Sequence, residues 1–242
     1  MVGTNAQDIV LLAIETTGKA GSVALMRGGE VVESLNLPPG RRTASSLAPQ
    51  LEQLLERCRQ QKISIGLVSI ADGPGSFTGL RIGVTTAKTL GYALRLPLVA
   101  VDSLAAIAAT VFHDHPRSQS LCVALDAYRG QVFTGTFHRH ELVPKLDELP
   151  VAWTAHPASV EVLSFEQWNQ RLDRLPDNVD VAGDAKPLGS RESSRLARTC
   201  DAIGVGLLGI RSYHAGVLTQ PMDLVPRYLK PSAAEEKAAQ QR

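Results

Sequence analysis

Two acids stand where a metal-bound nucleotide could be held: Glu15, which closes the apolar run 9–14, and Asp126, which closes the run 121–125. Each is followed by a glycine-containing turn, Thr16-Thr17-Gly18-Lys19-Ala20-Gly21 in one case and Ala127-Tyr128-Arg129-Gly130 in the other, and then by a second apolar strand. In a two-lobed nucleotide cleft, carboxylates at strand ends orient the cation on the phosphates, and turn amides approach the phosphate oxygens. The plainer alternative is a hairpin turn at Thr16 and Thr17 and a turn-capping acid at Asp126. Other reactive side chains are less well spaced. His113 and His115 are two apart, as are His138 and His140, and neither pair has a third ligand of suitable spacing, whereas a catalytic zinc takes three protein ligands. The cysteines, Cys58, Cys122 and Cys200, are odd in number and widely separated, which fits small buried hydrophobes in a reducing compartment. Neither a nucleophile elbow nor a basic aromatic platform for bases is present.

The run from Asp72 to Gly83, DGPGSFTGLRIG, carries a different kind of signal. It follows the apolar stretch 67–71, breaks it with glycine and proline, and supplies Ser76 as an N-cap, so it predicts a strand, a tight turn and a helix. A helix N-terminus there could receive an anion, although the Gly-Lys-Ser/Thr ending of a P-loop is missing. Along that helix Gly79, Gly83, Ala87, Leu90, Gly91 and Leu94 share one face, with Leu80 and Val84 beside them. Each interior glycine costs about 0.8–1 kcal/mol relative to alanine, so a close neighbour must compensate. Either the chain's own sheet fills the face or a second molecule does. The other side presents Arg81, Lys88 and Arg95 at heptad spacing around Tyr92, suited to an acidic partner, a phosphate or plain solvation.

These residues need a frame to position them. Apolar runs at 9–14, 22–26 and 30–35 read as strands, the last two joined by a Gly28-Gly29 hairpin. A helix over 45–60 follows, with Leu47, Leu51, Leu54, Leu55 and Cys58 on one stripe and Pro49 in its first turn. Next come the strand at 67–71, the glycine-faced helix, a strand at 98–101 and a helix at 104–112. After 113–120 the order restarts: strand, acid, glycine turn, strand. Repetition at half the chain length indicates a duplicated unit. The fold class predicted is α/β, two actin-like lobes of the ribonuclease H-like (ASKHA) kind, at residues 8–115 and 116–230, with a flexible tail at 231–242. Weaker signals mark a strand at 160–163, helices at 165–175 and 202–215, and a strand at 180–184. At 242 residues with net charge +1 and 20% charged residues, nothing in the balance draws the chain broadly to nucleic acid or to a membrane. With neither a signal segment nor an apolar run long enough to span a bilayer, the expected location is cytoplasmic.

The segment 72–83 resembles the hallmark of the TsaB family, also called YeaZ. Further likeness lies in Leu12-Ala13-Ile14-Glu15-Thr16, Ser22-Val23-Ala24-Leu25, Val101 to Ala106, Asp126 to Val132, and Leu224 to Pro231. The resemblance implies a non-catalytic subunit in the synthesis of threonylcarbamoyladenosine beside the anticodon of tRNAs reading codons that start with adenine. It implies partners: a TsaD-like catalytic subunit that this chain binds and activates, a TsaE-like ATPase, and a homodimer when alone, with tRNA met only through the complex. It implies no intrinsic cofactor or metal, with ATP or ADP at the subunit interface. The implied interface is the first two helices, here Leu47, Leu51, Leu54, Gly79, Leu80, Arg81, Gly83, Ala87, Lys88 and Gly91. Glu15, Thr16, Thr17 and Asp126 would line a vestigial nucleotide cleft. Two departures stand out: Glu15 replaces the family's usual aspartate, and Arg42-Thr43-Ala44 replaces a histidine near the first helix. The two metal-binding histidines of the catalytic relative have no counterpart within 104–112. The rival reading is an enzyme acting alone, an actin-fold ATPase or kinase or a metallopeptidase.

Overall fold

A run of apolar residues forms β1 (Val10–Glu15), buried throughout at the centre of the first sheet. It pairs antiparallel with β2 (Ser22–Arg27), which pairs antiparallel with β3 (Glu30–Asn36). On its other side β1 runs parallel to β4 (Leu67–Gly73), and β4 runs parallel to β5 (Leu98–Asp102). The computed structural model describes residues 9–18, 20–38, 43–150, 153–156, 160–185, 195–196 and 198–231. The predicted tail beyond 231, and Arg42, lie outside the described residues.

The second half repeats the plan. β6 (Ser120–Asp126) pairs antiparallel with β7 (Gln131–His138) and β7 with β8 (Glu161–Ser164), while β6 runs parallel to β9 (Asp180–Gly183) and β9 to β10 (Arg195–Leu196). The sheet orders, β3-β2-β1-β4-β5 and β8-β7-β6-β9-β10, correspond strand for strand. The fold is the duplicated, two-lobed actin-like α/β class, and Glu15 and Asp126 occupy equivalent strand ends.

Helices cover the sheets. α1 (Thr43–Gln60) and α2 (Phe77–Leu94) lie on one face of the first sheet, and α3 (Ser103–Asp114) lies between the sheets, buried from Ser103 to Phe112. α1 begins earlier than its sequence pattern predicts, so Pro49 sits inside the helix rather than in its first turn. A short α4 (Arg139–Leu142) follows β7, and α5 (Phe165–Arg174) seals the second sheet with the buried Trp168 and a Ser164–Gln167 capping box.

The last helix, α6 (Ala202–His214), corrects the assignment of 116–230 to one lobe. It packs on α3 and on β1, β2, β4 and β5 of the first sheet. Its glycines are where those neighbours come close: a Cβ at Gly209 would lie 2.7 Å from the side chain of Ser69. Beyond it the chain crosses back. The Thr219 amide donates to Leu98 O at 2.8 Å, Leu224 enters the first lobe's core, and the Arg227 amide donates to Asp72 O at 2.8 Å. The C-terminal segment is therefore a strap across both lobes.

Candidate functional site

Residues 72–83 form the predicted strand, turn and helix, with Ser76 Oγ accepting from the Gly79 amide at 3.3 Å as the N-cap of α2. What this turn meets is the turn after β1. The Ser76 amide donates to Thr17 O at 2.8 Å, and a Cβ at Gly75 would stand 2.5 Å from Thr17 Cβ. Thr16 Oγ1 donates to Gly79 O at 2.8 Å. The first glycine turn is thus docked on the start of α2.

That docking overturns the expectation that the small face of α2 awaits another molecule. A Cβ at Gly79 would lie 1.9 Å from Thr16 O, one at Gly83 2.1 Å from Thr16 Oγ1 and 3.0 Å from Ile70 Cδ1, and one at Gly91 2.6 Å from Leu98 Cδ2. Ala87, Leu80, Leu47, Leu51 and Leu54 are likewise buried in this chain's own core. The missing side chains make room for Thr16 in the turn after β1 and for Ile70 of β4 and Leu98 of β5, and the residues expected at an interface are in large part interior. Arg81 and Lys88 serve the chain as well. The Arg81 guanidinium lies 4.1 Å over the Phe77 ring and its Nε donates to Tyr228 Oη at 3.1 Å, while Lys88 Nζ donates to Met222 O at 3.4 Å. Phe77 and Tyr228 stack with centroids 4.2 Å apart. Two of the three cations in the basic row, Arg81 and Lys88, thus bond to the C-terminal strap.

An outward groove does run between α1 and α2, about 450 Å³ in volume, lined by Ala44, Ala48, Ile82, Thr85 and Thr86 and by three of the expected interface residues, Leu47, Leu51 and Arg81. Thr86 Oγ1 donates to Ile82 O at 2.8 Å and Thr89 Oγ1 to Thr85 O at 2.9 Å. With their donors committed to the backbone, these threonines present methyl groups, and small residues let another backbone approach.

Glu15 is fully buried. Its Oε1 accepts from Thr17 Oγ1 at 2.6 Å, from the Gly18 amide at 2.9 Å and from the Thr17 amide, whereas Oε2 is buried with no hydrogen-bond partner among the described residues. Burial pushes the carboxyl from 4.5 up to about 7, with Thr17 and Gly18 opposing and Asp201 adding slightly. Burial likewise pushes the Cys200 thiol up, helped by the charge of Glu15. Across the joint, Asp126 Oδ1 accepts from the Tyr128 amide at 2.7 Å, and the Asp126 amide donates to Asp184 Oδ1 at 3.0 Å. The space between Thr17, Gly18, Asp126 and Asp184 is about 30 Å³, enough for about one water molecule. Of the proposed cleft residues Thr17 and Asp126 line this joint, while Glu15 is buried behind the Thr17 hydroxyl and Thr16 is turned onto Gly79.

His113 and His115 are exposed at the end of α3, and His138 bonds Ser120 Oγ at 2.9 Å. Among the described residues no three His, Cys, Asp or Glu side chains gather as a metal site. Sequence reading missed two ties at the joint. His156 Nε2 lies 3.0 Å from Asp72 Oδ1, and Arg227 forms an ion pair with the wholly buried Asp102 and donates to Gly73 O at 3.1 Å. An acid at the start of the glycine motif, Asp72, and one closing the strand after α2, Asp102, were the available signal, because a buried charge requires a cation from elsewhere in the chain.

A family model described as tRNA N6-adenosine threonylcarbamoyltransferase (TsaD) matches residues 40–169. The chain is 35% identical over 129 residues to the tRNA threonylcarbamoyladenosine biosynthesis protein TsaB of Bacillus subtilis, covering 53% of this chain and 55% of that protein. Against Escherichia coli TsaB the figures are 33% over 131 residues, 54% and 56%. The chain thus spans about half the length of these curated relatives. The solved structure of YeaZ from Pseudomonas aeruginosa superposes with a TM-score of 0.68 at 23% identity, covering 91% of this chain and all of that one, which speaks for the fold. With over half its residues inside the family model, this chain belongs to the tRNA N6-adenosine threonylcarbamoyltransferase (TsaD) family, and TsaB proteins are among its relatives.

Proposed function

We propose that this protein is a non-catalytic subunit of the complex that forms threonylcarbamoyladenosine beside the anticodon of tRNAs reading codons that start with adenine. Its task is to bind and activate a TsaD-like catalytic subunit, with a TsaE-like ATPase completing the assembly and tRNA reached only through the complex, in the cytoplasm. The observation that carries this reading is the family match, which includes both α1 and α2, the helices flanking the outward groove. The groove, rather than the buried glycine stripe, is the surface a partner helix would use, and a homodimer would use it when the partner is absent. The 30 Å³ joint supports placing ATP or ADP at the interface of the assembled complex rather than between this chain's own lobes.

The test is reconstitution. Purified chain, the TsaD-like and TsaE-like subunits of the same organism, tRNA, threonine, bicarbonate and ATP are combined with each component omitted in turn, and modified adenosine is read by mass spectrometry. Product only when this chain and the TsaD-like subunit are both present supports the proposal. Product from this chain alone, or undiminished product without it, refutes it.

A further inference from the structure

A second cleft opens beside the closed joint. It has a volume of about 350 Å³, and its walls come from the first turn of α2, the β6–β7 turn with the start of β7, and the strap at 227–231. Of the five phenylalanines and four tyrosines in the sequence, Phe77, Phe133, Tyr128 and Tyr228 all border this one space, a marked concentration in a chain that is only 5% aromatic. Phe77 and Tyr228 stack with centroids 4.2 Å apart, and Arg81 braces both, its guanidinium over the Phe77 ring and its Nε bonded to Tyr228 Oη. Tyr128 and Phe133, supplied by the second lobe, have no aromatic partner among the described residues. Pro74, Leu80, Leu229 and Pro231 complete an apolar lining.

Tyr128 is the least expected of the four. It stands in the left-handed region, with φ of 61°, where glycine would serve the turn at less cost, and it leaves 55% of its surface exposed. Such backbone clusters at ligand clamps. The polar groups of the cleft define what else a ligand must carry. Arg227 is answered by the buried Asp102. Lys230 Nζ donates to Ala127 O at 3.0 Å and to Gln131 Oε1 at 2.7 Å, and an ammonium has three donors, so one is left for an acceptor. Among the described lining residues there is no carboxylate, so a cationic ligand would lack a counter-charge. A concave space of this size with an apolar, aromatic lining and a single directed donor matches a small ring compound bearing one acceptor.

We propose that this inter-lobe cleft binds a planar aromatic molecule carrying a carbonyl group, its ring between Tyr128 and the Phe77–Tyr228 stack and its carbonyl oxygen accepting from Lys230. The site is separate from the α1–α2 groove and independent of any assembly.

The experiment is an NMR titration of the full chain, following backbone amides, with benzamide and with cyclohexanecarboxamide, which carries the same carbonyl on a saturated ring. Benzamide should shift the amides of Ser76, Phe77, Tyr128 and Leu229 saturably and bind at least threefold more tightly than cyclohexanecarboxamide, the difference that aromatic contact makes. Tyr128→Gly removes a ring at an exposed position whose φ suits glycine, and Phe77→Leu removes one while keeping an apolar side chain. Each should weaken benzamide by about threefold to tenfold and bring the two probes closer together. Lys230→Met should weaken both probes alike, by about tenfold, the worth of one hydrogen bond to a charged group. Absence of saturation with benzamide, shifts centred away from these three segments, equal affinity for the two probes, or benzamide affinity unchanged in Tyr128→Gly overturns the assignment. Thermal melts confirm that each variant is folded, and if Phe77→Leu or Lys230→Met fails to fold, Tyr128→Gly and the comparison of the two probes on the wild-type chain decide.

Discussion

Alanine at Gly79 and at Gly83 separates the two accounts of the small face by the sign of its effect. If the face were open in the isolated chain, each substitution would stabilise α2 by about 0.8–1 kcal/mol through helix propensity, raising Tm by a few degrees. The structure demands the reverse. At Gly83 the new Cβ would stand 2.1 Å from Thr16 Oγ1 and 3.0 Å from Ile70 Cδ1, so Thr16 must turn away and surrender its bond to Gly79 O. Overpacking of this kind costs about 1–3 kcal/mol and a lost buried hydrogen bond about 1 kcal/mol more. After the propensity gain, a net loss of about 1–3 kcal/mol remains, a fall in Tm of about 3–10 °C for a chain of this size. Gly79→Ala should be worse, because its obstacle is the Thr16 carbonyl oxygen at 1.9 Å and backbone cannot rotate aside. The assay is scanning calorimetry of wild type, Gly79→Ala, Gly83→Ala, Thr16→Ala and the Thr16→Ala/Gly83→Ala pair. In that pair the loss should be smaller than the sum of the single losses, the signature of direct contact. A rise in Tm for either glycine variant would refute the packing argument.

Glu15 gives a pH signature. The folded state holds a proton up to about pH 7 that the unfolded chain releases near 4.5, so stability is greatest at the acidic end of that window, declines as pH rises through it and levels off above 7. The total is on the order of 3 kcal/mol, and Glu15→Gln should remove it, becoming the more stable form at pH 8 in urea titrations while differing little at pH 5. Arg227→Ala leaves the Asp102 carboxylate buried without its cation and should destabilise by about 3–5 kcal/mol, read as a lowered urea midpoint. Thr85→Glu, on the exposed wall of the α1–α2 groove, should leave Tm within about a degree, as surface substitutions do, yet abolish co-elution with a TsaD-like subunit. Retained co-elution would move the docking surface elsewhere.

The frame was legible because its signals are local. Apolar runs ended by glycine and proline set the strands, Ser76 set the start of α2, and the repeated order of strand, acid and glycine turn announced two lobes with matching sheets. The direction in which the glycine face points was not legible. Spacing shows that something approaches Gly79 and Gly83, but an own strand and a foreign helix leave the same mark. Only the meeting of Thr16 with α2, 63 positions apart in sequence, decides between them. The strap at 217–231 was unreadable for a related reason. Nothing periodic in 217–231 shows that Leu224 enters the first lobe's core or that Arg227 answers Asp102.

The duplicated hairpins have diverged in what they leave available. In the first, three donors converge on Glu15 Oε1 and the Ser76 amide takes Thr17 O, so the turn is folded onto the protein itself. To admit a phosphate there, Thr17 must leave Gly75, at about 1 kcal/mol for each hydrogen bond broken, and the lobes must part. Parting them strains His156 against Asp72 and Arg227 against Asp102, and pulls α6 from the first sheet. In the second hairpin the turn is held open by left-handed Tyr128 and Arg129, and the space beside it is already 350 Å³. The α1–α2 groove likewise needs no rearrangement to be occupied. On this geometry the inner joint is the costlier space to occupy, and the two outer clefts can be filled with the lobes as they stand.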